Sequence, residues 1–121
     1  MPSKATLQAF LDMVIAGQHA EAIEEFYAED ATMQENLGAT RYGRANLVAH
    51  ERATLARFKS VKTTLVPPVF AEGDFVVIHW IFEFLRANGG VVRIEELAHQ
   101  RWKGEKIAQE RFYYDPGQRR G

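Results

Sequence analysis

The stretch Phe75–Arg86, FVVIHWIFEFLR, decides the fold. Its even positions, Val76, Ile78, Trp80, Phe82 and Phe84, form an unbroken apolar row. Its odd positions mix Phe75, Val77, His79, Ile81, Glu83 and Leu85. Successive side chains of a strand point to opposite faces, so this period of two predicts a long strand with one wholly buried face. The other face is too apolar to be simply wet. Downstream, Asn88-Gly89-Gly90 signals a turn and Val91–Trp102 resumes the alternation, so the two segments pair as a hairpin. Lys103-Gly104-Glu105 makes another turn before a last strand, Lys106–Tyr114. Upstream, Val61–Val66 is a strand ended or bulged at Pro67–Pro68, because proline cannot donate to a ladder.

The N-terminal half has the other period. Thr6 is placed to cap a helix over Thr6–Gly17, in which Leu7, Phe10, Leu11, Val14 and Ile15 recur at three and four and Gly17 closes the element. A second helix, His19–Ala28, buries Ala22, Ile23, Phe26 and Tyr27; a third, Arg44–Phe58, carries Leu47, Val48, Leu55 and Phe58 on one stripe. Between them lie a strand, Ala31–Asn36, and a loop through Gly38, Arg41 and Gly43. Three helices followed by an antiparallel meander predict an α+β domain with the helices on one face of the sheet. The 121-residue length fits a single domain over residues 1–116, leaving 117–121 as a loose C-terminal tail.

Composition narrows the function classes. A net charge of −1 leaves no footprint for nucleic acid, so the bases of Arg101–Lys106 and Arg119–Arg120 read as solvated faces. The absence of cysteine removes thiolate catalysis, disulfides and Cys-ligated metals. No HExxH, G-x-S-x-G or phosphate-loop pattern occurs, so neither a metal site nor a cofactor is expected. Acids and polar residues interrupt the early apolar run, which argues against a signal peptide or membrane span and favours a cytoplasmic protein.

Carboxylates stand where apolar side chains are usual. Ala31, Met33 and Glu35 share one face of their strand, so either that face reaches a rim or the sheet lines a cavity. On the same inner face fall Glu96 and Gln100 of Val92, Ile94, Glu96, Ala98, Gln100, Trp102, and Glu110 of Ala108, Glu110, Phe112, Tyr114. The third helix adds Glu51, in register with Leu47 and Leu55. Unpaired carboxylates are too costly for a dry core, so their accumulation points to a polar-lined pocket walled by Trp80, Phe82, Trp102, Phe112 and Tyr114.

A helical start, then FYAEDATMQE, YGRANLVAH and three long strands closing on QRWKGEKIAQERFYYD, resembles the nuclear transport factor 2-like superfamily. Within it the chain is most similar to SnoaL-like polyketide cyclases and ketosteroid isomerases, over roughly Ala5 to Pro116. The resemblance implies a cone-shaped, cystatin-like roll whose curved sheet encloses a pocket, and a homodimer through the outer sheet face. It also puts Glu35 at the isomerase's general base, and Tyr27 at a pocket tyrosine. Glu51 stands where another pocket tyrosine would be. The isomerase's oxyanion donors fall near Leu11 and at Ala98, neither of which can donate.

The expected site therefore has Glu35 as base with Glu110 or Tyr114 as partner. Tyr27, Met33, His50, Glu51, Trp80, Phe82, Glu96, Gln100, Trp102 and Phe112 contact the ligand, and Arg41 and Arg44 neutralise acids. His79 and His99, on outer faces, belong to an interface. Two function classes stay open. One is an isomerase, cyclase or lyase type of acid/base enzyme acting on a small hydrophobic carbonyl compound; the other is a non-catalytic ligand-binding or dimerisation module of the same fold.

Overall fold

The computed structural model describes residues 1–120; Gly121 lies outside them. Helices α1 (Lys4–Ile15), α2 (His19–Phe26) and α3 (Arg44–Ala56) pack on one face of a six-stranded sheet. The strands are β1 (Tyr27–Glu35), β2 (Arg41–Tyr42), β3 (Ser60–Glu72), β4 (Phe75–Leu85), β5 (Val91–Lys103) and β6 (Lys106–Tyr113), in the order β2-β1-β6-β5-β4-β3. Every neighbouring pair is antiparallel except β1 with β6. The expected α+β class and helix-on-sheet layering hold. Register shifts in the β1–β6, β3–β4 and β5–β6 ladders add local twist, which bends the sheet around the helices.

The alternation of β4 is realised residue by residue: Val76, Ile78, Trp80, Phe82 and Phe84 are buried, and their odd-numbered neighbours face outward. Several boundaries differ from the sequence reading. The cap of α1 is Ser3, not Thr6: the Ser3 hydroxyl accepts from the Thr6 amide at 3.1 Å, so the helix begins at Lys4. Gly17, at φ +85°, does end it. Tyr27 and Ala28 belong to β1 rather than α2, because β1 runs alongside β6 from Tyr27 onward. Arg41–Tyr42, expected as loop, pairs with Thr32 and Met33; two residues carry too little pattern to reveal a strand. β3 is bulged rather than ended at the prolines and continues to Glu72 through a cis Pro67–Pro68 bond. As a sheet edge, β3 can hold prolines without breaking a second ladder.

One face assignment changes. Gln100 pairs with Glu110 and Trp102 with Ile107, so Ala108 is the extra residue of a bulge and Ile107, not Ala108, fills the interior. The tail expected to trail loosely from residue 117 is, as far as Arg120, part of a 3₁₀ turn over Pro116–Arg120. There the Gln118 amide accepts from the Glu95 amide at 2.9 Å and donates to its carbonyl at 3.1 Å. β6 has already left that part of β5, whose last pair is Leu97 with Tyr113, so the side chain satisfies a vacated ladder position.

Phe10 anchors the dry part of the core, edge-on to Phe26 at 5.6 Å and to Trp102 at 5.9 Å. Beside this cluster the packing opens into a cavity. Among the described residues no helix is long and apolar enough to cross a membrane.

Candidate functional site

The cavity, of about 130 Å³, lies between the helices and the inner sheet face. Tyr27, Met33, Glu35, His50, Glu51, Trp80, Phe82, Glu96, Glu110, Phe112 and Tyr114 line it, as does Arg41. Gln100 and Trp102, also expected there, do not. They lie deeper and form a hydrogen-bond chain behind Glu110: Trp102 Nε1 donates to Gln100 Oε1 at 2.9 Å, and Gln100 Nε2 donates to Glu110 Oε2 at 2.6 Å. Arg44 turns away as well, donating to the Tyr27 carbonyl at 3.2 Å.

Each carboxyl meets a different environment. Glu110 is buried, with Gln100 on one oxygen and the Tyr27 hydroxyl on the other. Burial moves its pKa up to about 7, although both hydrogen bonds favour the ionised form. Burial first, then the charge and contact of Glu110, push the Tyr27 phenol well above its usual range. Glu96, opposite Trp80 across the β4–β5 ladder, has no hydrogen bond or ion pair among the described residues. Burial first, then the charges of Glu110, Glu35 and Glu51, raise it to about 8. An acid in that condition is neutral at pH 7 and can donate a proton.

Glu35 is held differently. Its Oε1 accepts from the Tyr114 hydroxyl at 2.9 Å and from Arg119 at 2.5 Å, and Arg41 lies 3.3 Å from Oε2. Burial and the Glu35 contact push the Tyr114 phenol up to about 12, so it stays a donor. The strand end was ambiguous between rim and cavity, and Glu35 is both: it closes the mouth, with its side chain 27% exposed. Arg119, expected on a solvated face, is about half exposed (49%), yet it also lines the cavity, pairs with Glu35, and lies 5.3 Å from the centre of the Tyr114 ring. Charge counting alone could not find it, because the 3₁₀ turn is what carries it back across the sheet.

His19 was also missed. It opens α2, is buried against the cavity, and meets Phe82 edge-on at 5.2 Å. Its Nε2 is 2.8 Å from Thr63 Oγ1, and its Nδ1 is 3.5 Å from Glu51 Oε1. A lone histidine at a helix start carries no sequence pattern. Thr63, in phase with Val61 and Leu65 on β3, was the only available hint of a buried polar partner. Leu11 and Ala98, where the resemblance would place oxyanion donors, are plain buried apolar residues.

A model of the SnoaL-like domain matches residues 7–110. No functionally curated protein matches the chain. A candidate SnoaL-like polyketide cyclase from Mesorhizobium loti is similar at 22% identity and TM-score 0.77, over 94% of this chain and all (100%) of that one. A hypothetical protein with a ketosteroid isomerase-like fold from Catenulispora acidiphila, solved with trimethylamine, is similar at 21% identity and TM-score 0.79, over 98% and 91% of the two chains. A nuclear transport factor 2-like protein of unknown function from Cytophaga hutchinsonii is 13% identical at TM-score 0.74, covering 93% and 98%. At such identities these likenesses concern the fold alone.

Proposed function

The chain belongs to the SnoaL-like domain family, and from that premise we propose that its cavity binds a small, largely apolar carbonyl compound and moves a proton next to the carbonyl. One observation carries this reading: Glu96 is a carboxyl without a partner among the described residues, in an aromatic-walled cavity where its pKa lies at about 8. A neutral carboxylic acid so placed donates to a carbonyl oxygen and supports the enol or enolate that forms when a neighbouring proton leaves. It supplies the donor that Leu11 and Ala98 cannot. Size restricts the ligand. About 130 Å³ is close to the roughly 150 Å³ that admits benzene, so the cavity takes a single ring. Glu110 with Tyr27, and Glu35 with Tyr114, form two further acid–phenol pairs at the wall and mouth.

The test is a ¹³C NMR titration of the glutamate carboxyls, alone and with cyclohexanone. Glu96 should titrate near 8 and respond to the ketone. An ordinary carboxylate value for Glu96 would remove the donor and with it the reading.

A second reading, binding without turnover, is favoured by the internal partners that already occupy Glu35 and Glu110. The trimethylamine held by the Catenulispora protein adds small amines to the ligands worth screening. The protein is further proposed to be cytoplasmic and to form a homodimer through the outer sheet face, where Phe75, Leu97 and Tyr113 are exposed beside a groove of about 420 Å³.

A further inference from the structure

We propose that Glu51 is the proton-accepting base of this cavity and that His19 is the positioning residue that holds it in place. This rests on the acid/base reading above. Proton abstraction is served best by an ionised carboxylate that faces the cavity with an oxygen no hydrogen-bond donor already occupies. Glu35 accepts from Tyr114 and Arg119 on one oxygen and from Arg41 on the other. Glu110 accepts from Tyr27 and Gln100, one on each oxygen. Glu96 is the group that burial keeps protonated. Glu51 differs from all three. It lines the cavity, its side chain is 25% exposed, and its one ion-pair partner among the described residues is His19, at 3.5 Å from Oε1.

His19 is built to hold that neighbour still. It is fixed at both ends, by Thr63 Oγ1 at 2.8 Å from Nε2 and by the edge-on contact with Phe82. In the tautomer whose Nε2 accepts from the Thr63 hydroxyl, the imidazole proton sits on Nδ1, toward Glu51. The order Thr63–His19–Glu51 resembles a nucleophile triad, but Thr63 does not line the cavity, so its hydroxyl anchors the ring and attacks nothing. Other ionisable groups facing Glu51 are His50 on its own helix and, from the sheet side, Glu96, Glu110 and Tyr27.

The step balances without a cofactor. Glu51 takes the proton from the carbon beside the carbonyl, and the C–H electron pair becomes the C=C bond of an enol. The carbonyl π pair takes the proton supplied by Glu96. Reversal with a solvent-exchanged proton on Glu51 returns the ketone with its α-proton replaced.

Cyclohexanone in D₂O tests this, with α-proton exchange followed by ¹H NMR. Wild type should exchange it faster than an equal concentration of acetate. Glu51→Gln should lower the enzymic rate about 100-fold, the low end for a general base, and at least about tenfold further than Glu35→Gln does. Glu51→Asp should recover part of the loss. His19→Gln should cost about tenfold, because amide geometry only partly restores the aim of Glu51. A readout independent of turnover is the His19 Nδ1 resonance in ¹H–¹⁵N spectra: Glu51→Gln, which alters the group 3.5 Å from Nδ1, should move it further than Glu35→Gln does. Exchange that survives Glu51→Gln overturns the inference and leaves the acid/base reading standing. A larger loss in Glu35→Gln, or a His19 Nδ1 resonance unmoved by Glu51→Gln, overturns it too. Wild-type exchange no faster than acetate overturns both.

Discussion

Replacing Glu96 with glutamine should make this protein more stable at high pH and nearly unchanged in mild acid. The folded chain holds the Glu96 proton up to about pH 8, whereas the unfolded chain releases it near 4.5. Between those values the native state binds more protons than the unfolded state, so stability falls as pH rises. The contribution is fully present below about 4.5 and gone above about 8. At about 1.4 kcal/mol per pH unit, a rise from 4.5 to about 8 sets an upper bound of roughly 5 kcal/mol. Water at the partly open cavity reduces this, so roughly 2–4 kcal/mol is expected. Glutamine has the shape of the neutral carboxyl and cannot ionise, so Glu96→Gln removes that slope. Urea unfolding at pH 5, 7 and 9, at one protein concentration, measures it. The mutant and wild type should agree within about 1 kcal/mol at pH 5 and diverge steadily to pH 9, the mutant being the more stable. Parallel curves would mean that Glu96 is solvated or paired, and the neutral-donor argument would collapse.

Three further outcomes can be measured. Tyr27→Phe removes a donor from a buried carboxyl; it should cost about 1–3 kcal/mol in urea unfolding and move the Glu110 titration above its present value of about 7. Ser3→Ala removes the α1 cap and should cost about 1 kcal/mol, read as a lower melting temperature without loss of cyclohexanone binding. Sedimentation at micromolar concentration should give a dimer, and Ile81→Asp, on the outer face of β4, should give a monomer; a monomeric wild type removes the dimer proposal.

Periodicity alone determined much of this protein. The row Val76, Ile78, Trp80, Phe82, Phe84 specified a strand and its buried face, because a period of two puts all five side chains on one side, and the Asn88-Gly89-Gly90 turn specified its partner β5. The same phase put Glu35, Glu96 and Glu110 inside, and each does line the cavity. Phase says which face a side chain takes and not how deep it lies, so Gln100 and Trp102 were expected at the ligand when they stand behind Glu110. A bulge then shifted the phase at Ala108. Which acid is free was decided only by the tertiary structure. Arg41 and Arg119 approach Glu35 from positions 6 and 84 residues away, and Thr63, 44 residues from His19, fixes the ring that faces Glu51. A carboxyl's proton affinity depends on burial and on charges within a few ångströms. Those distances are set by how helices and strands distant in sequence close around the cavity, and no local pattern encodes them.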